Sequence, residues 1–380
     1  MNYSKEVMMI DTVKLTMNLS KPLRKADLDF QLFKEQEKGV IQGIYNPTTM
    51  MKKTGKYYPR LTYTERPARG GKTYQLAVEL SIPKLIFNNN FDELTDDDFP
   101  TVLKALSDVL REMKSLWLFK FQIENLEVSK IDYSKNIVLD NGMPVSYITG
   151  IVRRADISKV YDVEKNSFRN GGHIFHIHTN ALDVALYDKV EDLKQSIKSP
   201  KRAYESDSLV QQNLIDAFNE NRNVSVLRIE VRLNGKKQIR SMLEKIGLPS
   251  DDLTFGRLFS SDISSKVIDY HWQRILIKVP KAQLDFQTPD NILVKLLTND
   301  NVRPMNLLAS LGYYSLMASS DDGRNARSLI EKKLGSKAWY RLSKNILPLP
   351  EDDNLKVLMK ISDVIRRKEP TRMKNYFLLL

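Results

Sequence analysis

The chain has 380 residues and no cysteine, so disulfides, cysteine-ligated zinc and thiol catalysis are excluded. Its 59 Lys and Arg against 47 Asp and Glu leave a formal charge of +12 and a pI near 9.4. That excess argues against an enzyme of small acidic metabolites and for a polyanion partner, because cations that neutralise phosphates release counterions and gain salt-sensitive affinity. The N-terminal MNYSKEVMMIDTVKLTMNL lacks the apolar core and cleavage site of a signal peptide, and no window approaches the ~18 apolar residues of a membrane span. A soluble, cytoplasmic protein without membrane partners is expected.

Residues 8–17 (MMIDTVKLTM) alternate between apolar and polar as a strand does, and the basic, Gly- and Pro-containing stretch 52–75 reads as hairpin and loop. Residues 74–82 make a clear strand, with Leu76, Val78, Leu80 and Ile82 toward a core and Gln75, Ala77, Glu79 and Ser81 the other way. A helix is predicted over 98–114, with Asp98 as N-cap and an apolar stripe through Val102, Leu106 and Leu110. A strand follows at 126–133. Residues 173–178 and 183–189 form the arms of a predicted hairpin, followed by a basic helix-prone stretch broken at Pro200. Residues 226–233 (VLRIEVRL) make another strand, leading into the helix KKQIRSMLEKIG. AVELSIPKLI (77–86) and RIEVRLNGKKQI (228–239) echo each other, each with a mid-strand Glu ahead of a turn and a Lys. From about residue 288 the spacing is helical throughout, and the terminal FLLL is expected to be packed against something. The expected fold is α+β: an antiparallel sheet core of two βαβ-like halves (1–150 and 151–287), helices on one face, and a helical region at 288–380.

Three groups of residues can carry chemistry. Tyr187 and Lys189 share one face of the predicted strand 183–189, where a phenol can attack a phosphodiester while the ammonium offsets phosphate charge. With 16 tyrosines in the chain, a strand-edge Tyr of no special role fits the same residues. Arg228, Glu230 and Arg232 share the non-core face of their strand, as a structural ion pair or as a metal ligand flanked by phosphate-binding arginines. Asp132 and Glu79 offer further carboxylates on strand faces, which together would suit Mg²⁺ or Mn²⁺. Three of the four histidines fall within 173–178, and His176 and His178 point the same way from one strand, either as two ligands of one cation or as a polar sheet face. No Walker-type loop is present, since RGGKT (69–73) lacks the upstream glycine, and neither a Gly-x-Ser-x-Gly elbow nor an HExxH helix occurs.

In their order and spacing, MIDTVKL, AVELSIPKLI, LEVSKIDYS, VALYDKVEDLK and VLRIEVRLNGKKQIRSMLEKIGLP resemble the replication initiators of filamentous phages, and more loosely plasmid rolling-circle initiators and nicking relaxases. The resemblance spans most of residues 8–275. It implies that Tyr187 is the nucleophile, that Arg228, Glu230 and Arg232 form the arginine–glutamate strand, and that Asp132 sits on the Ile-Asp strand. His176 and His178 lie outside it, and their metal role rests on geometry alone. The implied activity is metal-dependent nicking of origin DNA, duplex and single-stranded, through a 5′-phosphotyrosine link. A host helicase and polymerase, and a second copy of the chain, are the expected partners. A conjugative or mobilisation relaxase shares this chemistry; a sequence-specific DNA-binding protein without catalysis is the alternative of a different class.

Overall fold

The computed structural model describes residues 7–8, 10–23, 32–36, 39–48, 50–51, 54–113, 120–139, 143–154, 165–169, 174–179, 181–198, 216, 224–279, 289–297, 302–319, 323–344, 346–347, 353–367 and 369–372. Strand β1 (Val7–Met8) pairs with β7 (Leu94–Thr95) in a small separate ladder. All other described strands join one ten-stranded antiparallel sheet. One half of it comprises β2 (Ile10–Leu19), β3 (Leu32–Gln36), β4 (Val40–Tyr45), β5 (Arg60–Ala68) and β6 (Gly71–Ser81). The other comprises β8 (Glu127–Leu139), β9 (Lys165–Arg169), β10 (Ile174–His178), β11 (Leu182–Asp188) and β12 (Ser225–Asn234).

The strand order β3-β4-β5-β6-β2-β8-β12-β11-β10-β9 reads the same for both halves from the centre outward. Each begins at the middle of the sheet, jumps to its own edge, and meanders back to the strand beside its starting point. The sequence echo falls on the matching strands β6 and β12, each leading into a helix: α1 (Ile82–Phe87) and α6 (Lys236–Lys245). Glu79 lies opposite Lys14 on central β2, and Glu230 opposite Ser134 on central β8, so the two glutamates hold equivalent places in a duplicated unit. The antiparallel β2–β8 ladder joins the units. Although β8 falls within residues 1–150, it heads the second unit.

Alternation explains why one face is covered and the other is not. Val13, Leu15, Leu76, Val78, Leu80, Ile131, Tyr133, Leu227, Ile229, Val231, Val184 and Leu186 are buried on one face. Each such side chain is worth about 1.5–3 kcal/mol when fully removed from water. Against this core pack α2 (Phe99–Glu112), through Val102, Leu106 and Leu110 as expected, and α4 (Val145–Arg154). They are joined there by α6 and α8 (Ser261–Leu276). The short helices α3 (Lys120–Glu124) and α7 (Phe255–Leu258) close the near end. The opposite face carries Lys14, Glu79, Lys130, Asp132, Asp183, Tyr187, Arg228, Glu230, Arg232 and His176 in register. At one end of that face α5 (Lys189–Lys198) lays Val190 and Leu193 on Val226 and Phe91.

The C-terminal helices expected from spacing are α9 (Pro289–Leu296), α10 (Pro304–Ser319), α11 (Gly323–Leu334), α12 (Ala338–Lys344) and α13 (Asp353–Arg366). Helix α13 docks on α8, where the Trp272 indole donates to Ser362 at 2.8 Å. FLLL lies outside the described residues. Among the described residues no helix is long and apolar enough to cross a membrane.

Candidate active site

Strand β12 organises the polar face because its even-numbered side chains are flanked on both sides by strands in matching register. Tyr187 lies opposite Arg228, Asp183 opposite Arg232, and Ser134 opposite Glu230. The Tyr187 hydroxyl donates to Glu230 Oε2 at 2.8 Å, and Arg232 Nε donates to Oε1 of the same carboxylate at 2.7 Å. Arg232 Nη1 continues to Asp183 Oδ2 at 3.2 Å. Arg228 donates to Ser134 Oγ at 2.7 Å and to the Asn90 carbonyl at 2.8 Å, and pairs with Asp11 at 3.2 Å. Asp11 reaches that side because the β2–β8 register shifts between Ile10 and Thr12, and a bulge re-aims the extra residue. Tyr187 is only 9% exposed, yet its ring stands on the polar face and not in the apolar core.

Charge explains the protonation states. Burial pushes Glu230 up, but Arg232 and Arg228 outweigh it and hold the carboxyl at about 2. Burial, reinforced by the Glu230 carboxylate, raises the Tyr187 phenol well above its usual 10. Burial also lifts Asp132 to about 7 against the pull of Lys130, 3.4 Å away; its Oδ1 is buried without a hydrogen-bond partner.

A second cluster adjoins this network. In the β10–β11 hairpin, His178 pairs with Asp183 and His176 with Ala185, so both imidazoles and the Asp183 carboxylate share the face. His176 Nε2 contacts Asp183 Oδ1, and His178 Nδ1 lies 3.8 Å from Asp183 Oδ2. The ligand atoms of the three residues lie within 4.8 Å of one another and could hold a metal ion. Despite its burial, the His176 hydrogen bond and then Arg232 hold Asp183 below the usual carboxylate range, with His178 adding least. His173 lies outside the described residues. Sequence reasoning missed Asp183, although the hairpin register carries it: with the turn at 179–181, residue 183 must face residue 178.

Beside Tyr187 opens a polar cavity of about 160 Å³. Asp11, Thr12, Ser81, Lys84 and Asn90 line it from the first unit; Tyr187, Lys189, Asp192, Glu230 and Arg232 line it from the second. The volume falls below the ~300–1,000 Å³ of sites that enclose drug-sized ligands, and suits one phosphate group with its neighbours outside. Lys189 reaches it differently from expected. Strand β11 ends at Asp188, whose Oδ1 accepts from the amides of Val190 and Glu191 and so starts α5, leaving Lys189 as the first helical residue. The Lys189 ammonium is 1% exposed, 3.5 Å from Asp192, and lowered to about 8 by burial and by Arg228.

The proposed carboxylates are each engaged in ion pairs, Glu79 and Asp132 sharing Lys130. Glu79 is held by Lys130 at 3.5 Å and Lys14 at 3.9 Å, on the first unit's side of the seam. Glu230 is committed to Tyr187 and the arginines, and Asp132 to Lys130. Arg228 is 2% exposed and braces the network from within, which leaves Arg232, Lys189 and Lys84 as the cavity's cations. At positions matching Tyr187 and Arg228, the first unit carries Thr62 and Ala77, so the full constellation occurs once. No protein-family model matches the chain, and no curated protein or solved structure compared with it gives a match.

Proposed function

We propose that this chain is a DNA-nicking strand transferase that initiates rolling-circle replication, with Tyr187 as nucleophile. The observation that carries the reading is a phenol hydroxyl held 2.8 Å from a carboxylate, in a phosphate-sized cavity lined by three cations and three carboxylates, beside a two-histidine, one-carboxylate cluster. A phenol whose ionisation is suppressed by burial loses its proton as its oxygen bonds to phosphorus, and Glu230 is in position to take it. The Tyr187 Oη–P bond forms as the P–O3′ bond breaks, and the departing 3′ oxygen is protonated from solvent. Lys189, Lys84 and Arg232 offset the charge that accumulates on the phosphate. The energy of the broken ester stays in the phosphotyrosine link, so rejoining needs no nucleotide. A divalent cation held by His176, His178 and Asp183 would add Lewis-acid charge at the phosphate. A donor set with two imidazoles suits Mn²⁺ better than Mg²⁺, which favours an all-oxygen shell.

A second reading has its own support. Tyr187, Glu230, Arg232 and Asp183 satisfy one another internally, as expected of a binding protein without catalysis. The two separate on incubation with Mn²⁺ and supercoiled DNA of the protein's own replicon. The proposal expects open circles and DNA attached to the Tyr187 peptide, both lost in Tyr187→Phe. Nicking that survives this substitution, or no nicking with any divalent ion, sinks it.

A further inference from the structure

The duplicated units differ where β5 meets β6. In the second unit the matching connection holds α5; in the first it is a tight hairpin. Arg66 pairs with Thr73, Pro67 with Lys72 and Ala68 with Gly71, around a turn in which Gly70 and Gly71 have φ of 88° and 148°. Such angles favour glycine, so the turn can be this tight. Neighbouring strands stop short: the β4 ladder reaches Glu65 and the β2 ladder reaches Tyr74. Among the described residues, 66–73 therefore extend past these ladders as a two-stranded ribbon, with Gly39 beside Pro67 at its base, and every one of them is exposed. Arg66 lies on the face that carries Tyr187, Lys72 on the opposite face, and Arg69 in the turn. Glu65, paired with Lys72, is the ribbon's acid, at its base.

We propose that this ribbon enters the major groove of B-form DNA and is the duplex-docking element of the protein. The inference rests on the proposed function for the choice of DNA as the polyanion. Strands in a sheet lie about 4.8 Å apart and rise about 3.3 Å per residue, so the ribbon projects roughly 10–13 Å. A groove about 12 Å wide and 8.5 Å deep admits such a ribbon to its floor. Cations on both faces and at the tip then meet phosphates on both walls, an arrangement that a ribbon lying on a flat surface would not use. Ser81, in the cavity, is nine residues along β6 from Lys72, which is about 30 Å of strand. The ribbon's grip on duplex is therefore set about 30 Å along β6 from the cavity, apart from the cutting site. On this inference the first unit, which lacks the tyrosine, holds the duplex while the second cuts.

The test compares full-length protein with the Arg66→Ala, Arg69→Ala, Lys72→Ala triple variant. Anisotropy is read against a random-sequence duplex of about three helical turns and an oligothymidine of equal length, from about 50 to 200 mM salt. All three side chains are exposed, so the variant is expected to keep the wild-type melting temperature. Its duplex affinity is expected to fall roughly tenfold or more and its log K–log salt slope to shrink by about two to three, with oligothymidine binding within about twofold of wild type. Losses that differ by less than about fivefold between the probes, or no loss on duplex, overturn the inference. Tyr187→Phe serves as the independent arm. If it still nicks while the triple variant loses duplex, the tyrosine reading fails and the ribbon stands; if nicking needs Tyr187 and the triple variant holds duplex normally, the ribbon fails alone.

Discussion

Glu230 sits between a tyrosine that donates to it and two arginines that keep it ionised, and this imbalance sets the cost of each substitution. Glu230→Ala takes a carboxylate from buried Arg228 and from Arg232, which is 35% exposed; each keeps one other acid, Asp11 or Asp183, so the loss should stay below the ~3–5 kcal/mol of a fully broken buried pair. Tyr187→Phe forfeits one hydrogen bond, about 0.5–1.5 kcal/mol. Urea midpoints should still drop more for the first variant; equal drops would mean that Asp11 and Asp183 satisfy the arginines. Lys189 supplies a pH signature. Its ammonium, lowered to about 8, is charged below that pH and neutral above it, so nicking under kcat/KM conditions should decline as pH rises through about 8. Lys189→Met should lower the rate and erase that limb, and a limb unchanged in the variant assigns it to another group. For the metal, His176→Ala and Asp183→Ala should each weaken Mn²⁺ binding by roughly tenfold or more in calorimetry, a scale reached even by outer-shell partners. Glu79→Ala should leave Mn²⁺ binding unchanged, since its carboxylate lies with Lys14 and Lys130.

Elements whose pattern is local were readable in the sequence; those held by distant partners were not. Strand β6 and helix α2 show period-2 and period-3.6 burial and occur within a few residues of their expected bounds. Strand β8 runs six residues past the expected 133, through Ser134, Lys135 and Asn136, which look like loop. They are strand because they pair with Glu230, Ile229 and Arg228 of β12, and distant groups complete them: Glu93 accepts from Lys135 Nζ and the Asn136 amide, both at 2.6 Å, and Thr371 donates to the Asn136 carbonyl at 2.9 Å. No pattern within 134–139 announces partners at 93 and 371. The site divides likewise: Tyr187, Glu230 and the histidines follow from strand parity, whereas Asp11, Lys84 and Asn90 arrive through a bulge and a helix of the other unit. Helix α8 offers a measurable case of burial overriding charge. His271 is 2% exposed, and burial, with Arg274 and Lys245 adding to it, lowers it to about 3. Its folded pKa lies below the unfolded ~6.5, so its contribution is complete above about 6.5 and is lost as pH falls toward 3, on the order of 5 kcal/mol over the window. His271→Gln should flatten the fall in urea-derived stability between pH 7 and 4, and an unchanged fall would show that His271 is not protonated on unfolding.

At the scale of the whole molecule, one ladder decides whether the halves are separable. Strand β8 is bonded to β12 along ten residue pairs, from Ser225–Leu139 to Asn234–Lys130, and to β2 on its other side. The boundary expected at residue 150 falls inside α4. Cutting there leaves β8 with the first fragment and strips β12 of its inner neighbour. The second fragment would then present Arg228, Glu230 and Arg232 on an open strand edge without Ser134 and Asp11 to receive Arg228. A long unprotected edge beside an apolar face invites pairing between chains. Cutting within 114–119 keeps β8 with its own unit but opens both central strands along the seam. Residues 151–380 expressed alone should therefore aggregate or show the collapsed amide dispersion of an unfolded chain, and should recover a dispersed spectrum only when mixed with 1–150. A well-dispersed spectrum from 151–380 by itself would show that the second unit closes without β8, and with it would go the argument that the tyrosine's surroundings are built jointly by both halves.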